Sequence, residues 1–361
     1  MRKLPMAIAA AIAALMLAPA CGGGEAGVPA AGKIAFSLCS SRSEGPCDLY
    51  VINPDGSGLA KVAQGSLPSW SPDGRRVAFV SGTGTSRDIF AISADGSDQT
   101  NLTDNPFDDY NPSWSPDGKR IAFVSSRDAP WILTPVPGRE GVPYPSGDYG
   151  VQQIYVMNAD GSDQTRLTEN KSGAEGDIAP DWSPDGSPIA FISTRGGSRQ
   201  VYVMNADGSN QTGLTSVAEG SSLYDAHWSP DGTRIAFNSS GVSVMSADGS
   251  AVTRLATGLD AVWSPDGRRL AFHSSRSCYI DGGGPSEIAA VNADGTGLSQ
   301  LTEASCEQMV ADSSPTWSPD GQYIAFARSS AIYVMRADGS NQRALHRPEG
   351  AISGLAWSPV P

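Results

Sequence analysis

Apolar and polar positions along this chain repeat as one unit: a short run such as Ile121-Ala122-Phe123, a second such as Ile154-Tyr155-Val156-Met157, then a polar stretch closing on Leu167-Thr168. Runs this short, built from Ile, Val, Phe and Tyr and bounded by Gly, predict strands rather than helices. The first run recurs from Ile34, Val77, Ile121, Ile189, Ile235, Leu270 and Ile324. Two turns punctuate it. Trp-Ser-Pro-Asp-Gly begins at Trp70, Trp114, Trp182, Trp228, Trp263 and Trp317, and a truncated copy, Trp357-Ser358-Pro359, stands near the C-terminus. Asp-Gly turns begin at Asp55, Asp95, Asp160, Asp207, Asp248, Asp294 and Asp338. In Ser-Pro-Asp-Gly, Pro presets φ for the first corner and Gly takes a left-handed position closing a three-residue hairpin loop.

Each unit therefore holds four antiparallel strands: a (ending at Trp), b (Ile-Ala-Phe), c (Ile-Tyr-Val-Met) and d (to Leu-Thr). Four-stranded units repeated about an axis predict an all-β fold, a seven-bladed β-propeller. The chain enters at a b strand (Ile34) and leaves after an a strand (Trp357), so the C-terminal strand is expected to complete the N-terminal blade and close the ring. Seven tryptophans at one blade position read as core.

Composition narrows the function. The formal net charge of −13 and pI of about 4.6 lack the clustered Lys and Arg that phosphate binding needs, so no nucleic-acid partner is expected. Arg2 and Lys3 precede an apolar run from Met6 to Ala18, too short to span a bilayer, and then Ala20-Cys21-Gly22. This segment resembles a bacterial lipoprotein signal, with Ala18 where that pattern prefers Leu and Leu17 one residue further back. The resemblance implies a signal peptide over 1–20 and a lipidated Cys21 at the head of a tether over 21–32, before the propeller over 33–361. Acyl chains on Cys21 would be its only link to a membrane; an ordinary secretory signal is the alternative. Removing Cys21 leaves Cys39, Cys47, Cys278 and Cys306, for which three pairings exist. Their places in the loops favour 39–47 and 278–306, each contributing roughly 2–4 kcal/mol.

The repeats resemble the Trp-Ser-Pro-Asp-Gly propeller repeats of the TolB family across essentially all of 33–358. TolB's own propeller has six blades where seven are counted here. The resemblance implies the fold strongly and that protein's role only weakly.

In such a blade the a–b and c–d turns share one face, and the b–c and d–a connections share the other. The turns are uniform and the connections vary, so a site is expected on the b–c/d–a face. Candidate partner-binding residues there are Phe107, Tyr110, Trp131, Tyr144, Tyr149 and Tyr224; the loop from Arg127 to Gln152 is Pro-rich and aromatic. Acidic residues before strand a, Asp109, Asp177, Asp225, Asp260 and Asp312, are expected near the mouth of the central channel, either holding a cation or basic peptide or capping the turn. Arg127, Arg195 and Arg276, four residues after the b-strand Phe, are placed to neutralise some of them. Only His227, His273 and His346 are present, without metal-ligand spacing, and there is no Gly-x-Ser-x-Gly elbow. No cofactor or metal is expected. The reading is a monomeric, membrane-anchored, non-catalytic scaffold binding an extracytoplasmic protein or cell-envelope polymer. The alternative is a propeller enzyme, a polysaccharide lyase or hydrolase using the channel-mouth Asp residues and a metal.

Overall fold

The computed structural model describes residues 31–40, 46–83, 86–128, 131–132, 144–145, 151–170, 176–216, 223–275, 285–303 and 310–359. Seven four-stranded antiparallel sheets and a two-stranded ribbon, Trp131–Ile132 with Tyr144–Pro145, are formed. Blade 3 is representative. Its strands a to d are Asp109–Trp114, Arg120–Ser125, Gln153–Asn158 and Thr165–Arg166, hydrogen-bonded in chain order. Blade 1 alone is discontinuous: Ile34–Cys39, Cys47–Ile52 and Ala60–Gln64 supply b, c and d, and Ala351–Trp357 supplies a. Ile34 pairs with Trp357 and Cys39 with Ala351. Lys33 N donates to Ser358 Oγ at 2.9 Å and Ser358 N to Lys33 O at 2.8 Å. The expected seven-bladed, strand-closed ring is the observed one.

The core lies between blades rather than within them. Seven apolar clusters form, each joining residues of two neighbouring blades. This explains the Ile-Ala-Phe pattern. Ile121 and Phe123 pack toward blade 2 against Ala78 and Leu102. Ala122, pointing the opposite way as the pleat requires, packs toward blade 4 against Trp182. Every blade repeats this: the small b-strand Ala makes room for the next blade's Trp ring, as Ala35 does for Trp70 and Ala325 for Trp357. Six of these tryptophans are only 6–8 % exposed. Trp263 is half-buried.

The a–b hairpin differs from expectation by one residue. Ser115 N donates to Arg120 O at 2.9 Å, enclosing four residues rather than three. The extra residue is held by side chains: Lys119 N donates to Asp117 Oδ1 and Arg120 N to Ser115 Oγ. Gly118, at φ 68°, is left-handed as the turn demands. In the c–d turn the left-handed Gly161 is followed two residues later by a second left-handed residue, Asp163, and the same step recurs at Gly58, Asp98, Asn210, Ala251, Gly297 and Asn341.

The a strands of neighbouring blades touch, so they line the ring's axis. They are bulged. Three residues before the Trp, the backbone turns left-handed at Leu67, Asn111, Ala179, Asp260, Ser314 and Gly354, where the register with strand b slips. In four blades the next residue is Pro68, Pro112, Pro180 or Pro315, which a bulged edge strand tolerates because no ladder bond is needed from it.

Closure by the C-terminal strand makes residues 353–361 essential to the ring. Their deletion removes most of the inner strand of blade 1 and the Trp357 contacts; unfolding free energy should fall by at least about 4 kcal/mol. Thermal and denaturant unfolding measure this, and an unchanged transition would contradict it.

Candidate functional site

Three kinds of group stand out, one where the strands meet the b–c/d–a loops, one along the inner strands and one on the loop face. The first is a repeated chain. Asp109 opens strand a of blade 3, fully buried, and accepts from Arg127 Nη2 at 2.9 Å. Asp177 accepts from Arg195 at 2.8 Å, and Asp312 from Arg328 at 2.7 and 2.8 Å. Each guanidinium lies over the b-strand Phe and c-strand Tyr of its own blade, Arg127 at 4.7 Å from the Tyr155 ring centre and Arg195 at 4.8 Å from Tyr202. Each also donates to a Gln, whose amide reaches the preceding blade. Gln164 donates to Leu102 O at 2.8 Å, Gln211 to Leu167 O at 2.9 Å and Gln342 to Leu301 O at 2.9 Å. Burial pushes the Asp109 carboxyl upward, and the Arg127 charge opposes that shift.

This arrangement changes the reading of Asp109, Asp177 and Asp312. They are buried ion-pair partners, not carboxylates presented to a ligand. Arg328, two residues after Phe326, does what Arg127 and Arg195 do from four residues after theirs. It was not visible in the spacing because the following connection to Ala331 is short. Arg276 lies outside the described residues.

The second group sits on and beside the inner strands of blades 4 to 6, with His273 on the b strand of blade 6. His227 Nδ1 is 3.9 Å from Asp181 Oδ1 and its Nε2 is 3.7 Å from Asp225 Oδ2. Asp181 also accepts from the backbone N of Trp228 at 2.9 Å, and Asp225 from Asn238 at 2.7 Å. His273 Nδ1 lies 3.2 Å from Asp260 Oδ2. Desolvation works against a charged His227, yet its bonds to Asp181 and Asp225 hold its pKa well above the ordinary histidine value. The contact with His273 lowers Asp260. Asp181 and His227, each one residue before a repeat Trp, were not singled out together in the sequence, although that shared position was the available signal. Among the described residues no group of three or more His, Cys, Asp or Glu is arranged to hold a metal.

The third group is aromatic and at least partly exposed. Tyr224 is 52 % exposed, with Arg199 stacked 4.9 Å from its ring centre. Arg87 lies 5.3 Å over Tyr110 and forms a two-pronged pair with Asp108 at 3.1 and 3.0 Å. Phe107 is half-buried beside them. These connections bring Phe107 and Tyr110 together; Tyr224 belongs to blade 5's entry. Trp131 and Tyr144 take part in the short ribbon, where Trp131 pairs with Pro145 and Ile132 with Tyr144. Cys39 and Cys47 form a disulfide joining strands b and c of blade 1 on this face. Tyr149, Cys21, Cys278 and Cys306 lie outside the described residues.

The comparisons with known proteins agree with this architecture. A sequence model of the TolB beta propeller domain (PD40) matches residues 61–132, 137–253 and 224–361. An uncharacterized protein of Agrobacterium fabrum is 29% identical over 170 residues, which cover 44% of this chain and 50% of that protein. The Tol-Pal system protein TolB of Geobacter sulfurreducens is 37% identical over 87 residues, 23% of this chain and 18% of that protein. This chain thus spans half or less of the curated relatives it matches. The crystal structure of TolB from Acinetobacter baumannii superposes with a TM-score of 0.54 at 18% identity, covering 91% of this chain and 83% of that one, and so speaks to fold alone. The matched segments run over most of the ring, and the chain belongs to the family of TolB beta propeller domains.

Proposed function

We propose that this propeller is a non-catalytic binding module of the cell envelope, held to the outer side of a membrane through Cys21 and engaging a protein or envelope polymer through its b–c/d–a face. The observation that carries this reading is the contrast between the two faces. Ser-Pro-Asp-Gly turns are near-copies from blade to blade. On the other face, Tyr224 with Arg199 and Tyr110 with Arg87 present aromatic and guanidinium surface of the kind that dominates binding energy. The disulfide between Cys39 and Cys47 fits an oxidising compartment. The acidic residues that a lyase or hydrolase would draw on are engaged: Asp109, Asp177 and Asp312 are buried against arginines.

One observation favours the enzyme reading, the Asp181–Asp225–His227 group on the inner strands. Its geometry supports a structural role better. A histidine set between two carboxylates links blades 4 and 5, and the carboxylates that raise its pKa make it a poor base at neutral pH.

Three expectations follow. In cross-linking capture from envelope extracts, the Tyr224→Ala, Arg199→Ala variant should recover its partner at least about tenfold less than the wild type, from losing one aromatic–guanidinium anchor. In the same extracts Cys21→Ser should move the chain from the membrane to the soluble fraction. Equal recovery would discard this face, and unchanged fractionation would discard the anchor. For His227 the folded pKa is raised, so its stabilisation is complete below the unfolded value of about 6.5 and is lost as pH rises through the folded pKa. His227→Gln should therefore unfold more readily than wild type at pH 6, with the gap closing in the alkaline range. A gap independent of pH would show that His227 is not charged in the fold.

A further inference from the structure

One junction between blades departs from the others. At the start of strand b, a guanidinium lies over the Trp of the following blade. Arg76 is 5.9 Å from the Trp114 ring centre, Arg120 4.7 Å from Trp182, Arg234 5.0 Å from Trp263 and Arg269 4.9 Å from Trp317. Three of them also donate to carbonyls of the following blade's turns: Arg76 to Ala159 O at 3.0 Å, Arg269 to Ala337 O at 3.2 Å and Arg234 to Gly267 O at 2.7 Å. In blade 1, Lys33 takes this position and donates to Ala94 O at 3.3 Å. In blade 7 it is Tyr323, and Arg343 instead reaches the equivalent carbonyl, Pro54 O, at 2.7 Å. In blade 4 it is Pro188. Its pyrrolidine ring carries neither a charge nor a hydrogen-bond donor.

Where the cation would lie, a cavity of about 320 Å³ opens between blades 4 and 5, with Asp185, Pro188, Trp228, Gly232, Ala247 and Asp248 in its lining. Trp228 is 8 % exposed, and among the described residues its Nε1 finds no hydrogen-bond acceptor. By repeat position Ala247 O corresponds to Ala159 O and Ala337 O, and Gly232 O to Gly267 O. The acceptors that receive an internal arginine elsewhere are therefore present here without one in the same blade position. Asp185 and Asp248 are exposed at the rim. Hydrogen bonds within their own turns hold both carboxyls below the usual value, Asp185 from Ser183 and Ser187 and Asp248 from Ser250. Asp160 and Asp294, the counterparts of Asp248, also feel Arg76 and Arg234; for Asp248 only its own turn acts.

We propose that this slot binds the guanidinium of an arginine side chain presented by a partner polypeptide, stacked on Trp228 between the Asp185 and Asp248 carboxylates and donating to Ala247 O and Gly232 O. Arginine is the class because the ring itself uses it at four junctions. A planar fork can stack and donate to two carbonyls at once, which an ammonium cannot. The site lies on the a–b/c–d face, opposite the loops, so it stands or falls independently of the reading above.

The test uses the full chain and N-acetyl-arginine methylamide as probe, with the neutral, nearly isosteric citrulline derivative as control. Binding is read from the indole N–H resonance of Trp228, assigned by its disappearance in Trp228→Phe. The arginine probe should shift that resonance saturably and the citrulline probe should not. Pro188→Arg, which supplies the side chain from within, should abolish the shift and raise the thermal midpoint. Asp185→Asn with Asp248→Asn should weaken binding about tenfold, a fold-change equal to about 1.4 kcal/mol shared by two rim charges, and decides the matter if Pro188→Arg does not fold. No shift in the wild type, equal shifts from both probes, or unaltered binding in the variants would overturn the proposal.

Discussion

The ring depends on one hydrogen bond used at five of its seven junctions: the indole N–H of a repeat Trp donating to the carbonyl just before the preceding blade's Trp. Trp70 donates to Ala356 O at 3.1 Å, Trp114 to Ser69 O at 3.2 Å, Trp182 to Ser113 O at 3.2 Å, Trp263 to His227 O at 3.0 Å and Trp317 to Val262 O at 3.2 Å. Those carbonyls belong to the inner edge strands, which have no neighbour on the axial side. An unpaired buried backbone group there would cost about 1–3 kcal/mol. The Trp therefore packs a large ring between blades and satisfies the preceding blade's exposed edge at once. The alanine of Ile-Ala-Phe is the space this requires, and the arginine at the start of strand b is its lid.

Much of this was legible because it is local. Gly and Asp at fixed offsets dictate the hairpins, and the turn chemistry of one copy applies to all. The second left-handed residue of each c–d turn was also written in the chain, since Gly58, Asp98, Asp163, Asn210, Gly297 and Asn341 are residue types that accept φ above zero; only Ala251 hides it. The inner-strand bulge was not legible. Leu67 and Ala179 give no hint of a left-handed backbone, because ring closure imposes it and the neighbouring blades over-determine it. The acidic residues were half-legible: Arg127 and Arg195, four residues after the b-strand Phe, do pair with Asp109 and Asp177, but the Arg328 partner of Asp312 was not visible. Asp109, Asp177 and Asp312 look like ligands when only their position before strand a is known. Their partners come from the end of strand b or the connection after it in the same blade, and the glutamines that complete the chain bind the blade before.

The candidate sites are departures from the repeat, and they are of two kinds. On the loop face the repeat does not dictate the residues, so Tyr224 and Arg199 or Tyr110 and Arg87 can vary without disturbing the ring. At the junction of blades 4 and 5 the repeat does dictate a residue, and the chain breaks its own rule with Pro188. There the neighbouring inner strands carry the compensating links, Asp181 to Trp228 N and His227 between Asp181 and Asp225. A ring built of quasi-equivalent junctions can lose one set of clips if another spans the same gap.

The tryptophan clamp is tested most directly by comparing two Trp→Phe substitutions that remove the same atoms from similarly buried rings, 6 % exposed at Trp182 and 8 % at Trp228. Trp182 donates its indole N–H to Ser113 O, whereas among the described residues Trp228 has no acceptor. Equilibrium unfolding should show Trp182→Phe costing about 1 kcal/mol more than Trp228→Phe, one net hydrogen bond. Equal losses at the two positions would contradict the claim that the indole bond, and not the ring's bulk alone, holds the blades together.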